Sequence, residues 1–342
     1  MKAELLERTV RHVDITAHDT RPLIAAYRDM SFSARELGRA AEIYEQMLAD
    51  PGCTIWLTIA GSTSAAGCMH LYADLVRHNM VDAIIATGAT IVDMDFFEAL
   101  GFSHYQGSPW VDDRMLRAHY VDRIYDTYID EEELQRCDLT VKEIADGLEP
   151  GIWSSRAFIR EMGHWLARSP DRRRKAPSLV QACFEHDVPV FCPAFSDCAA
   201  GLGLVAHQRE RPDAHVAIDS VRDFRELTDL KMHAADTGLI IVGGGVPKNF
   251  AQDTVICAEV LGREVPMHKY SVQITVADVR DGACSSSTLK EAGSWGKVDD
   301  ACEQMVYAEA TLALPILAGA VYHGGTWRDR PRRALARLFT DA

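Results

Sequence analysis

The sequence predicts an α/β fold in which a mostly parallel sheet carries helices on both faces. Two observations predict it. Near-continuous apolar runs recur along the chain, and each ends in small, polar or glycine-rich residues, as a buried parallel strand does when it feeds a loop. Stretches with apolar residues at helical spacing lie between them, and such strand–loop–helix alternation builds parallel sheets.

In chain order, residues 21–50 read as helical, and Ser33-Ala34-Arg35-Glu36 has the pattern of a capping box. Pro51-Gly52 stops that helix, and residues 54–61 (TIWLTIAG) read as the first strand. A helix over 65–79 leads to a second strand, residues 81–89, ending in Thr87-Gly88-Ala89. Residues 103–176 are less regular and read as a helical excursion. A helix over 178–187 precedes a strand over 188–197 that ends near Asp197. A helix over 221–237 precedes residues 238–250, a strand, three glycines and a helix start with Pro247 at an early position. No internal repeat or linker divides the chain, so residues 1–342 read as one domain with an N-terminal helical extension over about 1–50.

The composition excludes several classes. No apolar run approaches the roughly 20 residues that span a bilayer, and the first residues, MKAELLERTVRH, are too polar for a signal peptide. Nine cysteines are scattered without a CxxC pair, which argues against a disulfide framework or a metal site and fits a cytoplasmic protein. A net charge of −14 opposes nucleic acid or an anionic membrane as partner and is compatible with a cationic substrate. The one basic run, Arg172-Arg173-Arg174-Lys175, reads as a solvated loop.

In open parallel sheets ligands sit at the carboxyl ends of the strands. Gly243-Gly244-Gly245 stands there, and glycines before a helix N-terminus let backbone amides approach a phosphate; a tight structural turn is the alternative. Gly61-Ser62-Thr63-Ser64-Ala65-Ala66-Gly67 is a second small-residue loop after a strand, either a dinucleotide contact or a plain turn. Asp93, Asp95 and Asp197 lie at or just beyond strand ends, where carboxylates bind ribose hydroxyls or cationic amines, or cap helices. Glu291-Ala292-Gly293-Ser294-Trp295-Gly296-Lys297 places a lysine two residues after a tryptophan. An ammonium against an indole face in a partly dry pocket loses hydration, which makes the neutral, nucleophilic amine available. The polar loop Asp281–Ser287 would line that pocket.

LVRHNMVDAIIATGA, VPVFCPAFSD, LIIVGGGVPKNF, EAGSWGKV and YAEATLALPIL, in this order and spacing, resemble the deoxyhypusine synthase family, over about residues 33–320. Homospermidine synthase, a close relative, shares these motifs. The resemblance implies a Rossmann-like fold, a homotetramer with active sites between paired subunits, and NAD as bound redox catalyst. It also implies redox-neutral transfer of an aminobutyl group from a polyamine or diamine to an amine acceptor. Lys297 would be the imine-forming lysine, with Trp295, Glu291, Asp93, Asn249 and Cys284 at the amine. NAD contacts would fall on Gly61, Ser62, Thr63, Ala65, Thr87, Gly88, Ala89, Asp93, Asp197, Gly244, Ser285, Glu309 and Ala310.

The chain departs from the family pattern where the family grips the amine. Leu202 stands at an amine-binding aspartate, Asn249 at a histidine implicated in proton transfer, Cys284 at a second aspartate, and Ser62 at an asparagine of the dinucleotide loop. Removing a carboxylate opposite a buried ammonium costs several kcal/mol, so spermidine is not expected to bind in the family's standard way. The expected product is therefore of the homospermidine type. The alternatives are a protein lysine as acceptor, or a non-catalytic NAD-binding regulatory protein.

Overall fold

The computed structural model describes residues 1–169, 177–281 and 287–339. Its main sheet has six parallel strands: β1 (Cys53–Ile59), β2 (Ala83–Ala86), β3 (Val190–Phe191), β4 (Asp236–Val242), β5 (Tyr270–Thr275) and β6 (Glu303–Tyr307). In space the order is β3-β2-β1-β4-β5-β6, with β1 paired to β2 on one side and to β4 on the other. The chain thus builds outward from β1 in one direction and, from β4, in the other. The carboxyl ends of β1 and β4 form the switch point where an open α/β sheet leaves a crevice. All seven residues of β1 are buried, because both faces of the sheet are covered.

The covering helices are α1 (Phe32–Ala49), α2 (Met69–Arg77), α3 (Glu131–Asp146), α4 (Ser155–Arg168), α5 (Leu179–Glu185), α6 (Ala199–Glu210), α7 (Ser220–His233), α8 (Gly245–Gln252), α9 (Thr254–Val260), α10 (Leu289–Ser294) and α11 (Ala310–Gly324). The larger core cluster joins α1, α2 and α11 to the sheet, and the smaller one packs Trp56, Phe191, Leu227 and Leu239 on the opposite face.

Four sequence expectations change. β3 is two residues long, because Pro189 and Pro193 flank it and proline offers no ladder N–H. β5 and β6 were not anticipated: YSVQIT and EQMVY interleave polar residues, and Ser271, Gln273 and Thr275 are buried polar groups. The excursion after residue 103 is not purely helical. It holds a three-stranded sheet of Tyr105–Gln106, Val121–Ile124 and Thr127–Asp130, antiparallel throughout. The Ser33–Glu36 pattern is no capping box, since Ser31 occupies the N-cap of α1. The Ser33 hydroxyl instead donates to the Tyr307 carbonyl (2.9 Å), and Glu36 accepts the Tyr307 N–H (3.2 Å), clasping α1 to the end of β6.

The N-terminal arm is tied to this frame by backbone bonds from Val10 to His104 and from Val13 to Gly67, and by a buried cluster of histidines. The Glu98 carboxylate contacts His12 Nε2 at 2.7 Å and His104 Nδ1 at 2.6 Å, and the His70 ring lies 4.4 Å from that of His12. Burial alone would raise the Glu98 pKa, but the bonds from His104 and His12 outweigh it and hold the carboxyl at about 2. Burial, then the neighbouring His12, lowers His70 from 6.5 to about 4.

Both shifts make acid destabilising. Between pH 6.5 and 4 the unfolded chain takes a proton at His70 that the folded chain refuses. Below about pH 4.5 the same holds for Glu98, whose stabilisation fades as pH falls toward 2. The melting temperature is therefore expected to begin falling near pH 6. In His70→Gln the slope between pH 6.5 and 4 should flatten, and an unchanged slope would clear His70 of the effect.

Candidate active site

The expected nucleotide residues gather at the carboxyl edge of the sheet. Ala60 N–H donates to the Val242 carbonyl (3.0 Å), which brings the ends of β1 and β4 side by side. Gly61 (φ +85) and Gly245 (φ +61) follow those strands, and a Cβ built on either meets nothing within 4 Å. The crevice thus has an open floor of backbone, continued by the first turn of α8. Beside it the Thr63 hydroxyl contacts the Tyr72 phenol (2.6 Å), and Ala65 is buried. Ser64 Oγ is buried without a hydrogen-bond partner among the described residues. From β2, Thr87 and Thr90 touch through their hydroxyls (3.2 Å), and Thr90 donates to the Gly61 carbonyl (3.1 Å). Gly88 packs so tightly on Cys198 that a Cβ would lie 2.5 Å from its Sγ. Open glycine backbone, small hydroxyls and an orphaned buried Oγ fit a dinucleotide such as NAD.

The carboxylates at this edge divide by task. Asp95 caps α5, accepting from Ser178 Oγ and from the Leu179 and Val180 N–H groups. Asp93 accepts the Ala199 N–H at the start of α6 (2.7 Å). Burial raises its pKa to about 6, the Ala199 bond opposes this, and the charge of nearby Asp197 adds to it. Asp197 itself is exposed in the turn before α6. Glu309 is the N-cap of α11, accepting from Leu312 N–H (3.2 Å), and Ala310 is its first residue.

The lysine group lies on the flank of the sheet, between the α8–α9 junction and α10. A capping box starts α10: Glu291 accepts the Thr288 N–H (2.6 Å), while the Thr288 hydroxyl accepts the Glu291 N–H (3.1 Å). The Thr288 backbone bond is the main reason the Glu291 carboxyl is held below its ordinary range. Glu291, expected at the cationic amine, thus spends one oxygen on its own helix. Gly296 (φ +71) turns the chain after α10. His268 N–H then donates to the Lys297 carbonyl (2.9 Å) and Asp299 N–H to the His268 carbonyl (2.9 Å), fixing Lys297 against the segment leading to β5.

The Lys297 ammonium lies 5.1 Å from the centre of the Trp295 ring and forms an ion pair with Asp253 Oδ1 at 2.5 Å. Its side chain is 14 % exposed, against 41 % for Asp253, whereas Trp295 is 66 % exposed. The indole therefore forms an open wall, and the enclosure of Lys297 comes largely from other neighbours. A second lysine lies close by. Lys248, fully buried in α8, donates to Gln273 Oε1 (2.8 Å) and to the Ser287 carbonyl. Burial lowers its pKa to about 8, the charge of Lys297 lowers it further and that of Glu291 opposes both. Gln273 also donates to the Gly243 carbonyl (2.8 Å), so Lys248 and Gln273 link the lysine group to the glycine turn of the crevice.

Sequence reasoning singled out Lys297, Trp295 and Glu291 but not Lys248 and Asp253, which the fold brings close to Lys297. Lys248 is written inside the GGGVPKNF motif, where a lysine in a helix reads as solvated. Asp253 meets Lys297 only through folding. Asn249 lies on the exposed side of α8, and Leu202 is 64 % exposed on α6. Cys284 and Ser285, with the basic run 172–175, lie outside the described residues.

The family model described as deoxyhypusine synthase matches residues 22–321. A deoxyhypusine synthase-like protein of Coxiella burnetii is 66% identical over 339 residues, covering 99% of this chain and 96% of its own. Another from Caulobacter vibrioides is 60% identical, covering 99% and 92%. A probable deoxyhypusine synthase 2 of Methanosarcina mazei is 35% identical, covering 91% and 88%. The crystal structure of a putative deoxyhypusine synthase from Entamoeba histolytica shares the fold, with a TM-score of 0.61 at 19% identity over 92% of this chain and 97% of that one. With most of its length matched and its Rossmann-like strand order in place, this chain belongs to the deoxyhypusine synthase family.

Proposed function

We propose that the protein is an NAD-dependent transferase that moves an aminobutyl-type group from a diamine or polyamine to an amine acceptor, with Lys297 forming the imine that carries the group. The observation that carries this reading is the enclosed Lys297 ammonium, 14 % exposed and 5.1 Å from the Trp295 ring. A solvated structural lysine would have no reason to be sequestered beside a second, wholly buried lysine.

Gly61, Ser62, Thr63, Ala65, Thr87, Gly88, Ala89 and Gly244 would hold the cofactor in the crevice, with Asp93, Asp197, Ser285, Glu309 and Ala310 around it. NAD, when bound, accepts the hydride from the carbon beside a substrate nitrogen and later returns it. The chain's own residues do the rest. Trp295 offers a π face to a cationic amine, and Glu291, Asp93, Asn249 and Cys284 complete the amine pocket. Lys297 supplies the nucleophilic nitrogen. In this reading the protein works as a cytoplasmic homotetramer.

Leu202 stands 64 % exposed at a position where the family resemblance implies a carboxylate. That favours a small diamine such as putrescine as acceptor over the arrangement that serves spermidine and a protein lysine. The test is borohydride trapping with NAD and, separately, putrescine, spermidine and agmatine, read by mass spectrometry of peptides and of free amines. An aminobutyl adduct on Lys297 together with a new polyamine is expected. Bound NAD with neither adduct nor product would sink the transferase reading.

A further inference from the structure

We propose that Asp253 is the acid–base partner of Lys297, taking the proton from its Nζ before the carbon–nitrogen bond forms and returning it to the departing group. This rests on the reading of Lys297 as the imine-forming residue, but it concerns a carboxylate to which neither the sequence motifs nor that reading assigns a role.

The geometry is direct. Asp253 Oδ1 lies 2.5 Å from Lys297 Nζ, within reach for proton transfer without any rearrangement. Asp253 sits where α8 meets α9 and is gripped on both sides by helix backbone: its N–H donates to the Asn249 carbonyl (2.8 Å) and its carbonyl accepts the Cys257 N–H (2.9 Å). The carboxylate is therefore aimed by a rigid element rather than by a loop. It is also the more exposed member of the pair, 41 % against 14 %, so an incoming amine or water reaches it while Lys297 stays covered.

Two other charged groups near this lysine, among the described residues, are already engaged. Glu291 closes the capping box of α10, and Lys248 donates to Gln273 and Ser287. Lys248 lies close enough that its own lowered pKa reflects burial first and the charge of Lys297 second among the lowering causes. Asp253 is left as the base in contact with the reacting nitrogen.

The step balances without an oxidant. An Nζ–H bond breaks, its electron pair stays on nitrogen, and the proton goes to Oδ1. That pair forms the bond to a carbonyl or imine carbon while the π pair moves to oxygen or nitrogen, which takes the Asp253 proton. The adduct nitrogen then gives a second proton to Asp253, its pair closes the C=N bond as the bond to the departing group breaks, and that second proton leaves with the departing group. With an aldehyde the departing group is water, and with an imine it is an amine.

An aldehyde therefore isolates the step from the cofactor. The full-length protein, without NAD, is incubated with butanal and cyanoborohydride from pH 6 to pH 10, and the rate of reductive alkylation at Lys297 is read by mass spectrometry. Asp253→Ala is expected to slow labelling at neutral pH by about a hundredfold, with formate restoring much of the rate. Asp253→Glu should retain part of the rate, and other labelled lysines serve as internal standards. An Asp253→Ala rate equal to or above wild type, or a loss that neither formate nor Asp253→Glu repairs, would overturn the proposal and leave the carboxylate a counter-ion. Labelling that depends on Asp253 in a protein that never traps a polyamine fragment would uphold the acid–base pair while refuting the donor assigned above.

Discussion

Lys297→Ala is expected to lose at least about a thousandfold in turnover while keeping its fold and, in the reading proposed above, its capacity to bind NAD. A covalent nucleophile splits one difficult step into two, and nothing nearby can replace it once the amine is gone. Lys248 is the nearest alternative amine, but it is wholly buried and committed to Gln273 and Ser287. The cost to stability should be small, within about 1 kcal/mol, because the abandoned Asp253 is 41 % exposed and water can solvate it. Lys297→Arg is the sharper comparison. Arginine keeps a cation beside Asp253 and Trp295 but forms no imine, so it should be as inactive as alanine. Turnover of either variant within tenfold of wild type would mean that Lys297 serves only as a charge, and the imine mechanism would fall.

The second large effect is on stability. Asp82→Ala is expected to destabilise the protein by about 3–5 kcal/mol, because it strips a buried guanidinium of its carboxylate. Asp82 and Arg330 are each 2 % exposed at the side chain. Asp82 receives Arg330 through both oxygens, one contact at 3.0 Å, and also accepts the Ile55 N–H from β1 at 2.7 Å. Arg330 in turn donates to the carbonyls of Asn79 (3.0 Å) and Cys53 (3.1 Å), and Asn79 Nδ2 donates back to the Arg330 carbonyl (2.7 Å). One pair therefore fastens the segment after α11 to the start of β1 and to the turn before β2. A fall in melting temperature on the order of 10 °C is expected for a chain of this size. The double variant Asp82→Ala, Arg330→Met should recover part of the loss, since it leaves no uncompensated charge. A drop of less than about 3 °C in Asp82→Ala would show that the pair contributes little.

Much of the fold was legible because parallel strands buried on both faces write themselves as unbroken apolar runs. β1, β2 and β4 did so, and their glycine-rich or small-residue ends marked the crevice. β5 escaped because Ser271, Gln273 and Thr275 are buried polar residues, and β6 because EQMVY interleaves polar residues, patterns that cannot be separated locally from a surface stretch. The Ser33–Glu36 pattern misled for a related reason: a hydroxyl and a carboxylate three residues apart suit a helix cap, yet the strand end at Tyr307 claimed both.

The sequence by itself determined the family, the layered α/β fold, the glycine turns of the crevice and Lys297 beside Trp295. All of these are written in contiguous residues, where backbone preference and short-range spacing act. Only the tertiary structure decided what surrounds that lysine. Asp253 and Lys248 reach it only through the folding of the chain, and Glu291 is drawn into a helix cap. Electrostatic partnership depends on distance in space, which falls off over a few ångströms and leaves no trace in the order of residues along the chain.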